Sequence, residues 1–486
     1  MGCNENKILL SAESDTLQYT GVRLSNPHHF DIRAGLTYIV IGENGSGKTT
    51  LGKIIEKGWN IGLNRIVGDK SSLNIRSIEF TDIHSLTGCN DTYYQQRFES
   101  TANDGIPTVE ELISGKISES LWLDLCRSLS IDDVRHKRIN YLSSGELRKF
   151  LIINILTEQP DLLIIDNPYI GLDAASRDLF NGLISKLTKR GTAVMLLLCN
   201  TIDIPDYADF ILPIKDLTIG KMQPVSQETI SMARKEQEKL FSNTPQIDLP
   251  DTTPSIPVDY HTAFSLEHCN VAYGSNIILH DISWQVAAGK KWALLGENGS
   301  GKSTLLSLVY ADNPQGYRNR ITIFDHRRGT GESIWEIKRR IGYISPEMHL
   351  YFNNGETLLA VVASGLHDNV GCFRRISDEQ RATATEWLKA FCLDGLANRY
   401  FRTLSSGEQR LALIARTLAR RASLLILDEP LHGLDMVRKQ LVAQAIEHIT
   451  KANGISLVYV THYEHEIPRV IDNNHIFRLT KHKKQS

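Results

Sequence analysis

The sequence has 486 residues and is 41% hydrophobic, which is enough for two or three domains of about 150 residues with buried cores. Its 54 Lys and Arg residues nearly balance 56 Asp and Glu residues, so the overall charge does not indicate specific nucleic-acid binding. Seven scattered cysteines form no CxxC pair, which argues against a disulfide or zinc framework and favours a reducing compartment.

No apolar stretch reaches the length of about 18 residues that a membrane-spanning helix requires. The start, MGCNENKILLSAESD, lacks the basic and apolar regions of a signal peptide. We therefore expect a cytoplasmic protein without direct membrane insertion. Any attachment to the membrane is expected to be peripheral, at its inner face.

The first element with a chemical signal is the apolar run LTYIVI at 36–41, which favours a strand. GENGSGKTT follows at 42–50, and helix-compatible sequence begins directly after Lys48 and Thr49, as in a phosphate-binding loop. Lys48 supplies positive charge to the outer phosphates, and Thr49 offers a hydroxyl to Mg²⁺. The expected nucleotide-binding residues of this loop are Gly42, Asn44, Gly45, Ser46, Gly47, Lys48, Thr49 and Thr50.

LSSGE at 142–146 precedes helical sequence, and the same five letters recur at 404–408. One interpretation is an ordinary Ser cap with a Glu in the first helical turn. The other is a phosphate contact at the helix N-terminus. Because both copies end the same distance before an LLIID or LLILD strand, we favour the phosphate contact. The residues concerned are Ser143, Gly145, Ser405 and Gly407.

LLIID at 162–166 predicts a buried strand whose last residue, Asp166, holds Mg²⁺, usually through water. The next residue is Asn167, whose amide is unsuited to take a proton from water. Further along, Asn200 follows the apolar run in LLLCNTID, whereas the matching run of the second half, LVYVTH, ends in a histidine. Chance drift at Asn167, or hydrolysis through another base, remains the alternative to a site that only holds its ligand.

A connector follows, because SQETISMARKEQEKLFS at 226–242 alternates charged and apolar residues like an exposed helix. The next segment carries four prolines, which predicts a semi-extended spacer. We place the first domain at 1–225, the helical and Pro-rich connector at 226–262, and the second domain at 263–486.

The second half repeats these elements, since KWALLG at 291–296 leads into GENGSGKST at 296–304. Its expected nucleotide-binding residues are Gly296, Asn298, Gly299, Ser300, Gly301, Lys302, Ser303 and Thr304. LLILD then ends at Asp428, which with Ser303 is expected to hold Mg²⁺.

The second half keeps two catalytic groups that the first half lacks. Glu429 follows Asp428 and can orient and deprotonate an attacking water. His462 ends the run LVYVTH and is expected to sense the γ-phosphate, although a lone histidine is more often an ordinary surface or core residue.

Together these motifs, with GLD at 171–173 and 433–435, resemble the ATP-binding domains of ABC proteins over nearly the whole chain. The resemblance implies an α/β fold of two ABC-type P-loop nucleotide-binding domains in tandem, each with a RecA-like core and a helical subdomain. It implies ATP and Mg²⁺ as cofactors, an adenine-stacking aromatic at Tyr273, and head-to-tail pairing of the two domains within one chain. Each ATP is then expected between the phosphate loop of one domain and LSSGE of the other.

The segment NPQGYRNRITIFDHRRGTGESIWEIKRRIGYIS at 313–345 is similar to the ModF family of tandem ATPases, called molybdate-transport ATP-binding proteins. That resemblance implies integral-membrane transporter subunits as partners. Two alternatives stay open: a soluble ABC protein acting on ribosomes or another cytosolic partner, and a tandem sugar-importer ATPase. From the residues of this chain we expect one site that holds ATP and one, with Glu429 and His462, that hydrolyses it.

Overall fold

The computed structural model describes residues 7–78, 106–113, 119–129, 131, 134–139, 142, 144–170, 172, 174–242, 247–274, 276–346, 348, 355–366, 376–452 and 454–481. The described chain forms two compact units. The first comprises the described residues of 7–242 together with Gly433–Met436, and the second comprises the described residues of 247–432 and 437–481. No helix among these residues is long and apolar enough to cross a membrane.

The first unit is an α/β structure. Its strands are β1 (Ile8–Ala12), β2 (Thr16–Tyr19), β3 (Val22–Ser25), β4 (Phe30–Arg33), β5 (Thr37–Ile41), β6 (Ile66–Val67), β7 (Ile75–Ile78), β8 (Leu162–Asp166), β9 (Ala193–Leu198), β10 (Phe210–Lys215), β11 (Thr218–Ile219) and β12 (Gln223–Pro224). Its helices are α1 (Lys48–Lys57), α2 (Val109–Ile113), α3 (Glu119–Leu129), α4 (Ser144–Leu156), α5 (Ala174–Lys189) and α6 (Gln227–Ser242).

The main sheet of the first unit has a parallel core in the order β7-β8-β9-β5-β10. Strands β5 and β9 are buried at every position, as expected for parallel strands covered on both faces. Strands β11, β3 and β2 extend the sheet beyond β10, and β12 also pairs with β10. A smaller antiparallel sheet has the order β4-β1-β6.

The second unit repeats this construction. Its strands are β13 (Thr262–Tyr273), β14 (Asn276–Ala287), β15 (Lys291–Leu295), β16 (Arg320–Ile323), β17 (His326–Arg327), β18 (Ile341–Ile344), β19 (Leu424–Asp428), β20 (Ser456–Thr461) and β21 (Ile476–Arg478). Its helices are α7 (Lys302–Val309), α8 (Ile334–Arg339), α9 (Leu358–Ala363), α10 (Asp378–Ala390), α11 (Ser406–Ala419) and α12 (Met436–Ala452).

The duplication read from the sequence appears as one strand order used twice. The parallel sheet of the second unit runs β18-β19-β20-β15-β21, so each strand has a counterpart in β7-β8-β9-β5-β10. An antiparallel sheet, β14-β13-β16-β17, lies beside it. Because β5 and β15 each precede a glycine-rich loop, both loops lie at the carboxyl edge of a parallel sheet, where ligands of such sheets bind.

Helices form a separate packed part of each unit. In the first, α3 packs against α4 and α5, with Trp122 and Phe150 in the core. In the second, α9 packs against α10 and α11, and the indole of Trp387 is fully buried. Each unit therefore has a parallel-sheet core and a helical part, as the sequence predicted.

Candidate active site

The two glycine-rich loops hold their lysines in the same way. Lys48 Nζ donates to the carbonyl oxygens of Gly42 at 2.8 Å and Glu43 at 2.7 Å. Lys302 Nζ donates to Gly296 O at 2.6 Å and to the next carbonyl at 3.0 Å. Helices α1 and α7 begin at these lysines, slightly earlier than the sequence suggested. Each ammonium therefore lies at a helix N-terminus, where the backbone N–H groups favour an anion.

The interior of each loop fits a polyphosphate group. The hydroxyls of Ser46 and Ser300 are buried and have no hydrogen-bond partner among the described residues. A phosphate oxygen would supply the missing acceptor. The first glycine leaves no room for a side chain, because a Cβ on Gly42 would lie 2.2 Å from Ile214 O and 2.6 Å from Ser46 Oγ. The same position in the other loop, Gly296, is equally closed.

Oxygen donors for Mg²⁺ meet at the end of β8. Thr49 Oγ1 donates to Asp166 Oδ2 at 2.5 Å, so a hydroxyl and a carboxylate stand side by side. These hard oxygen ligands are the type that Mg²⁺ prefers, and the residues fit this ion. In the second unit Asp428 is buried at the end of β19, and Ser303 is exposed in the first turn of α7.

Asn167 and Glu429 occupy the same backbone position in the two units. Both have a left-handed backbone, with φ of 49° and 48°. Each donates its backbone N–H to the neighbouring strand, Asn167 to Leu197 O at 3.0 Å and Glu429 to Val460 O at 2.9 Å. The two side chains differ in their chemistry and contacts. The Asn167 amide donates a hydrogen bond to Asp166 Oδ1 at 2.9 Å. Only the side-chain chemistry, and not the fold, therefore distinguishes the two positions.

The Glu429 carboxylate is buried between two imidazoles. Its Oε1 lies 3.1 Å from His462 Nδ1, and its Oε2 lies 2.7 Å from His432 Nδ1. Burial acts to raise the pKa of Glu429, but His432 and His462 outweigh it, so this pKa lies well below its ordinary value. Burial lowers the pKa of His432 below its ordinary value, against the opposing attraction of the Glu429 carboxylate. The site thus presents an ionised carboxylate at neutral pH.

Two residues of this environment were missed from the sequence. His432 lies three residues after Glu429 in LHGLD, and an i, i+3 histidine beside a base is the signal that points to it. Arg410 is the other. Its guanidinium donates to Ser345 O at 2.7 Å, to Asp428 O at 3.0 Å and to Glu429 O at 2.8 Å. Arg410 therefore fixes the turn that carries the carboxylate, and no sequence pattern reveals that contact.

The structural counterpart of His462 is Cys199, not Asn200 as the sequence suggested. Asp166 pairs with Leu197 in the first sheet and Asp428 with Val460 in the second, so the residue two positions further is Cys199 in one and His462 in the other. The connector helix α6 lies against the segment that contains Cys199 and Thr201. Gln237 donates to Cys199 O at 2.9 Å and accepts from Thr201 N and Oγ1 at 3.1 and 2.8 Å.

The remaining predicted residues are placed as follows. Tyr273 ends β13, is 39% exposed, and accepts a hydrogen bond from Asn313 Nδ2 at 3.1 Å. Ser405 caps α11 in a reciprocal arrangement with Glu408, so the capping interpretation applies to it. Gly407 and Gly145 lie in the first turns of α11 and α4. Ser143 lies outside the described residues.

Two parallel-sheet units, each with a lysine-bearing phosphate loop and an aspartate at the end of the adjacent strand, define a tandem P-loop nucleoside triphosphatase. A family model described as "ABC transporter" matches residues 25–170 and 279–432. The chain belongs to this family, whose domains bind and hydrolyse ATP. The predicted tandem ABC fold and ATPase class are confirmed.

Relatives match over nearly the whole chain. The ABC transporter ATP-binding protein ModF of Escherichia coli K12 is 34% identical over 451 residues, which cover 90% of this chain and 91% of that protein. An uncharacterized ABC transporter ATP-binding protein of Schizosaccharomyces pombe is 26% identical over 462 residues. The match covers 91% of this chain and 92% of that protein. The chain is thus similar to these two proteins over nearly their whole length.

Solved structures show the same tandem fold at low identity. The RNase-L Inhibitor superposes with a TM-score of 0.52 at 20% identity, covering 96% of this chain and 90% of that one. An archaeal ribosome recycling factor, solved in complex with the ribosomal stalk protein aP1, superposes with a TM-score of 0.53 at 18% identity. The match covers 96% of this chain and 89% of that one.

Proposed function

We propose that this chain is a Mg²⁺-dependent ATPase in which the second unit hydrolyses ATP and the first unit holds it. One observation carries the proposal. Glu429 and Asn167 share a backbone position, yet only the second unit has a carboxylate there, buried between two imidazoles. The first unit has an amide that is already bonded to Asp166, and Cys199 where the second has His462.

In the second unit, Glu429 accepts a proton from the water that attacks the γ-phosphate, and its ionised state suits that role. Lys302 and the N-terminus of α7 stabilise the phosphate charge. Ser303 and Asp428 would hold Mg²⁺, which would supply neutralising charge to the outer phosphates. Losing such a base costs about 10²- to 10⁴-fold in rate, so one site dominates turnover.

His462 has a defined task in this scheme. Because an ionised carboxylate only accepts, His462 Nδ1 must donate to Glu429 Oε1, across 3.1 Å. Its Nε2 is buried and has no hydrogen-bond partner among the described residues. With the proton on Nδ1, the Nε2 of a neutral ring is an acceptor, so it would take a hydrogen bond from a water bound beside the γ-phosphate, which links the base to the presence of ATP.

The two sites are further proposed to be completed by the LSSGE helices in head-to-tail pairing within one chain, as in the family. Ser405 and Gly407 would serve the ATP on Lys48, and Ser143 and Gly145 the ATP on Lys302. The tether supports this pairing, because it keeps one unit at about millimolar effective concentration near the other.

The cellular role we propose is that of the ATP-binding component of a molybdate-type transport system, acting in the cytoplasm or at the inner face of the membrane. Similarity to the ABC transporter ATP-binding protein ModF over 90% of the chain supports a transport role. The molybdate-type cargo rests on the resemblance of the segment 313–345 to that family. Co-purification from native membranes and from ribosomes tests the transport role. Recovery with an integral-membrane subunit is expected, whereas recovery with ribosomal subunits alone would favour the soluble, non-transport role.

Vanadate trapping tests which of the two units hydrolyses ATP. Orthovanadate traps ADP only where hydrolysis has occurred, so a photoreactive, radiolabelled ATP marks the working site. We expect the trapped label on peptides of the second unit, near Tyr273. Equal trapping on both units would show that the first unit also hydrolyses.

A further inference from the structure

Three side chains of the second unit form a cluster with the donor atoms of a metal site. Glu429, His432 and His462 each offer one ligand atom, and these atoms lie within 4.8 Å of one another. Among the described residues no other group of His, Cys, Asp or Glu side chains meets this condition. All three side chains are at least nine-tenths buried, with exposed fractions of 9%, 9% and 4%.

The histidines of the cluster have unused donor or acceptor capacity. The Nε2 atoms of His432 and His462 are both buried, and neither has a hydrogen-bond partner among the described residues. Buried imidazole nitrogens without partners are uncommon, because their desolvation is uncompensated. The Nδ1 of His432, which lies 2.7 Å from Glu429 Oε2, likewise has no hydrogen-bond partner among the described residues. A cation bound through the Nδ1 atoms, which face Glu429, would compensate this nitrogen, since a neutral imidazole coordinates through the ring nitrogen that carries no proton.

The chemistry of this donor set selects a class of ion. Two nitrogens and one carboxylate oxygen suit Zn²⁺, which takes such ligands in a tetrahedron, whereas Mg²⁺ prefers oxygen alone. Zn–N and Zn–O bonds of about 2.0–2.2 Å place neighbouring ligand atoms about 3.4 Å apart. The Nδ1 atom of His432 lies 2.7 Å from Glu429 Oε2 and that of His462 lies 3.1 Å from Oε1. These separations are shorter than that value by about 0.7 and 0.3 Å, so small side-chain shifts would let both Nδ1 atoms and the carboxylate bind one ion.

We propose that Glu429, His432 and His462 bind one Zn²⁺ ion through three protein ligands, and that this ion inhibits ATP hydrolysis. A carboxylate that is bonded to Zn²⁺ no longer takes a proton from water. The site differs from the Mg²⁺ site, whose donors are the oxygens of Ser303 and Asp428. The inhibition rests on the proposed role of Glu429, whereas the binding does not.

The first unit provides an internal comparison. Its corresponding positions carry Asn167, Ile170 and Cys199, which cannot reproduce one carboxylate and two imidazoles. A single such zinc site per chain is therefore expected.

Binding is tested without nucleotide, by equilibrium dialysis of the full chain against buffered Zn²⁺ followed by metal analysis. His432→Gln should lose one bound Zn²⁺ relative to the natural chain. His448→Gln is the matched control, because His448 is an exposed histidine on α12 outside the cluster. Equal zinc binding by the natural chain and His432→Gln overturns the site. If circular dichroism shows that His432→Gln is unfolded, His432→Asn takes its place.

Co²⁺ distinguishes this site from adventitious binding by cysteines. Co²⁺ held by two imidazoles and a carboxylate should show tetrahedral visible bands without thiolate-to-cobalt charge transfer in the near ultraviolet. Thiolate bands that persist in His432→Gln at unchanged intensity would assign the metal to cysteine and overturn the proposal.

Inhibition is tested with Mg-ATP in excess and free Zn²⁺ set by a metal buffer, each rate being divided by that variant's own zinc-free rate. Half-inhibition should need at least about 10-fold more free Zn²⁺ in His432→Gln, because one ligand is lost. His448→Gln should match the natural chain. Binding that depends on His432 without any inhibition would leave the metal site standing and refute both the inhibition and the base role of Glu429.

Discussion

Replacing Glu429 by Gln removes the proposed catalytic base and leaves the rest of the site unchanged. The amide keeps the size and one oxygen of the carboxylate but cannot take a proton. The phosphate-loop contacts of Lys302 do not involve Glu429, so ATP binding should stay nearly intact. Steady-state phosphate release should fall by about 10²-fold or more, and the closed, ATP-bound state should accumulate.

The loss of activity in Glu429→Gln should be larger than its loss of folding stability can explain. Two contacts of the ionised carboxylate change, those with His432 and His462, and replacing a hydrogen bond to a charged group by a neutral one costs about 1 kcal/mol each. Removing the base raises the barrier by about 3–5 kcal/mol, at 1.36 kcal/mol per factor of ten. The increase in the barrier should therefore exceed the loss of folding free energy, which is about 2 kcal/mol.

The assay compares phosphate release from four proteins: the natural chain, Glu429→Gln, Asn167→Glu and the double variant. Asn167→Glu fits its backbone, since φ is 49° there against 48° at Glu429. It should still raise turnover by less than about twofold, because Cys199 stands at the histidine position. The double variant should stay mostly inactive. Glu429→Gln that keeps more than about half of the natural activity would refute Glu429 as the base.

Three further predictions concern occupancy, assembly and the connector. Two nucleotides should bind per chain in equilibrium dialysis with a slowly hydrolysed analogue, and Lys48→Ala should remove one; a single ATP on the natural chain would contradict this. ATP-driven closure should occur within one chain, so that activity per chain is independent of concentration, and light scattering that shows only concentration-dependent dimers would refute it. Gln237→Ala should lower the free energy of unfolding by about 1–3 kcal/mol in urea titrations, because three hydrogen bonds to Cys199 and Thr201 are lost; an unchanged midpoint would contradict the contact.

Local pattern was sufficient to predict the elements that carry the phosphate loops. The runs LTYIVI and LLIID are continuous apolar strands, and the glycine-rich loops have a spacing that few other structures use. The duplication then predicted two like units. These signals are local in the chain, so a single sequence contains them in full.

The environment of Glu429 could not be predicted in the same way, because it depends on which strands lie side by side. His462 meets Glu429 only through the pairing of β19 with β20. The same pairing register shows Cys199, not Asn200, at the histidine position of the first unit. Counting along the chain from an apolar run leaves such an alignment uncertain by one residue, which decides which side chain faces the site.

The number of ATP molecules hydrolysed by a doubly loaded chain tests the central claim most directly. The chain is loaded with two radiolabelled ATP molecules without Mg²⁺, mixed with Mg²⁺ and excess unlabelled ATP, and quenched over a time course. The account predicts a fast phase of one labelled phosphate per chain, lost in Glu429→Gln, while the second label stays as ATP. A fast phase of two phosphates per chain would show that both units hydrolyse and would contradict the account.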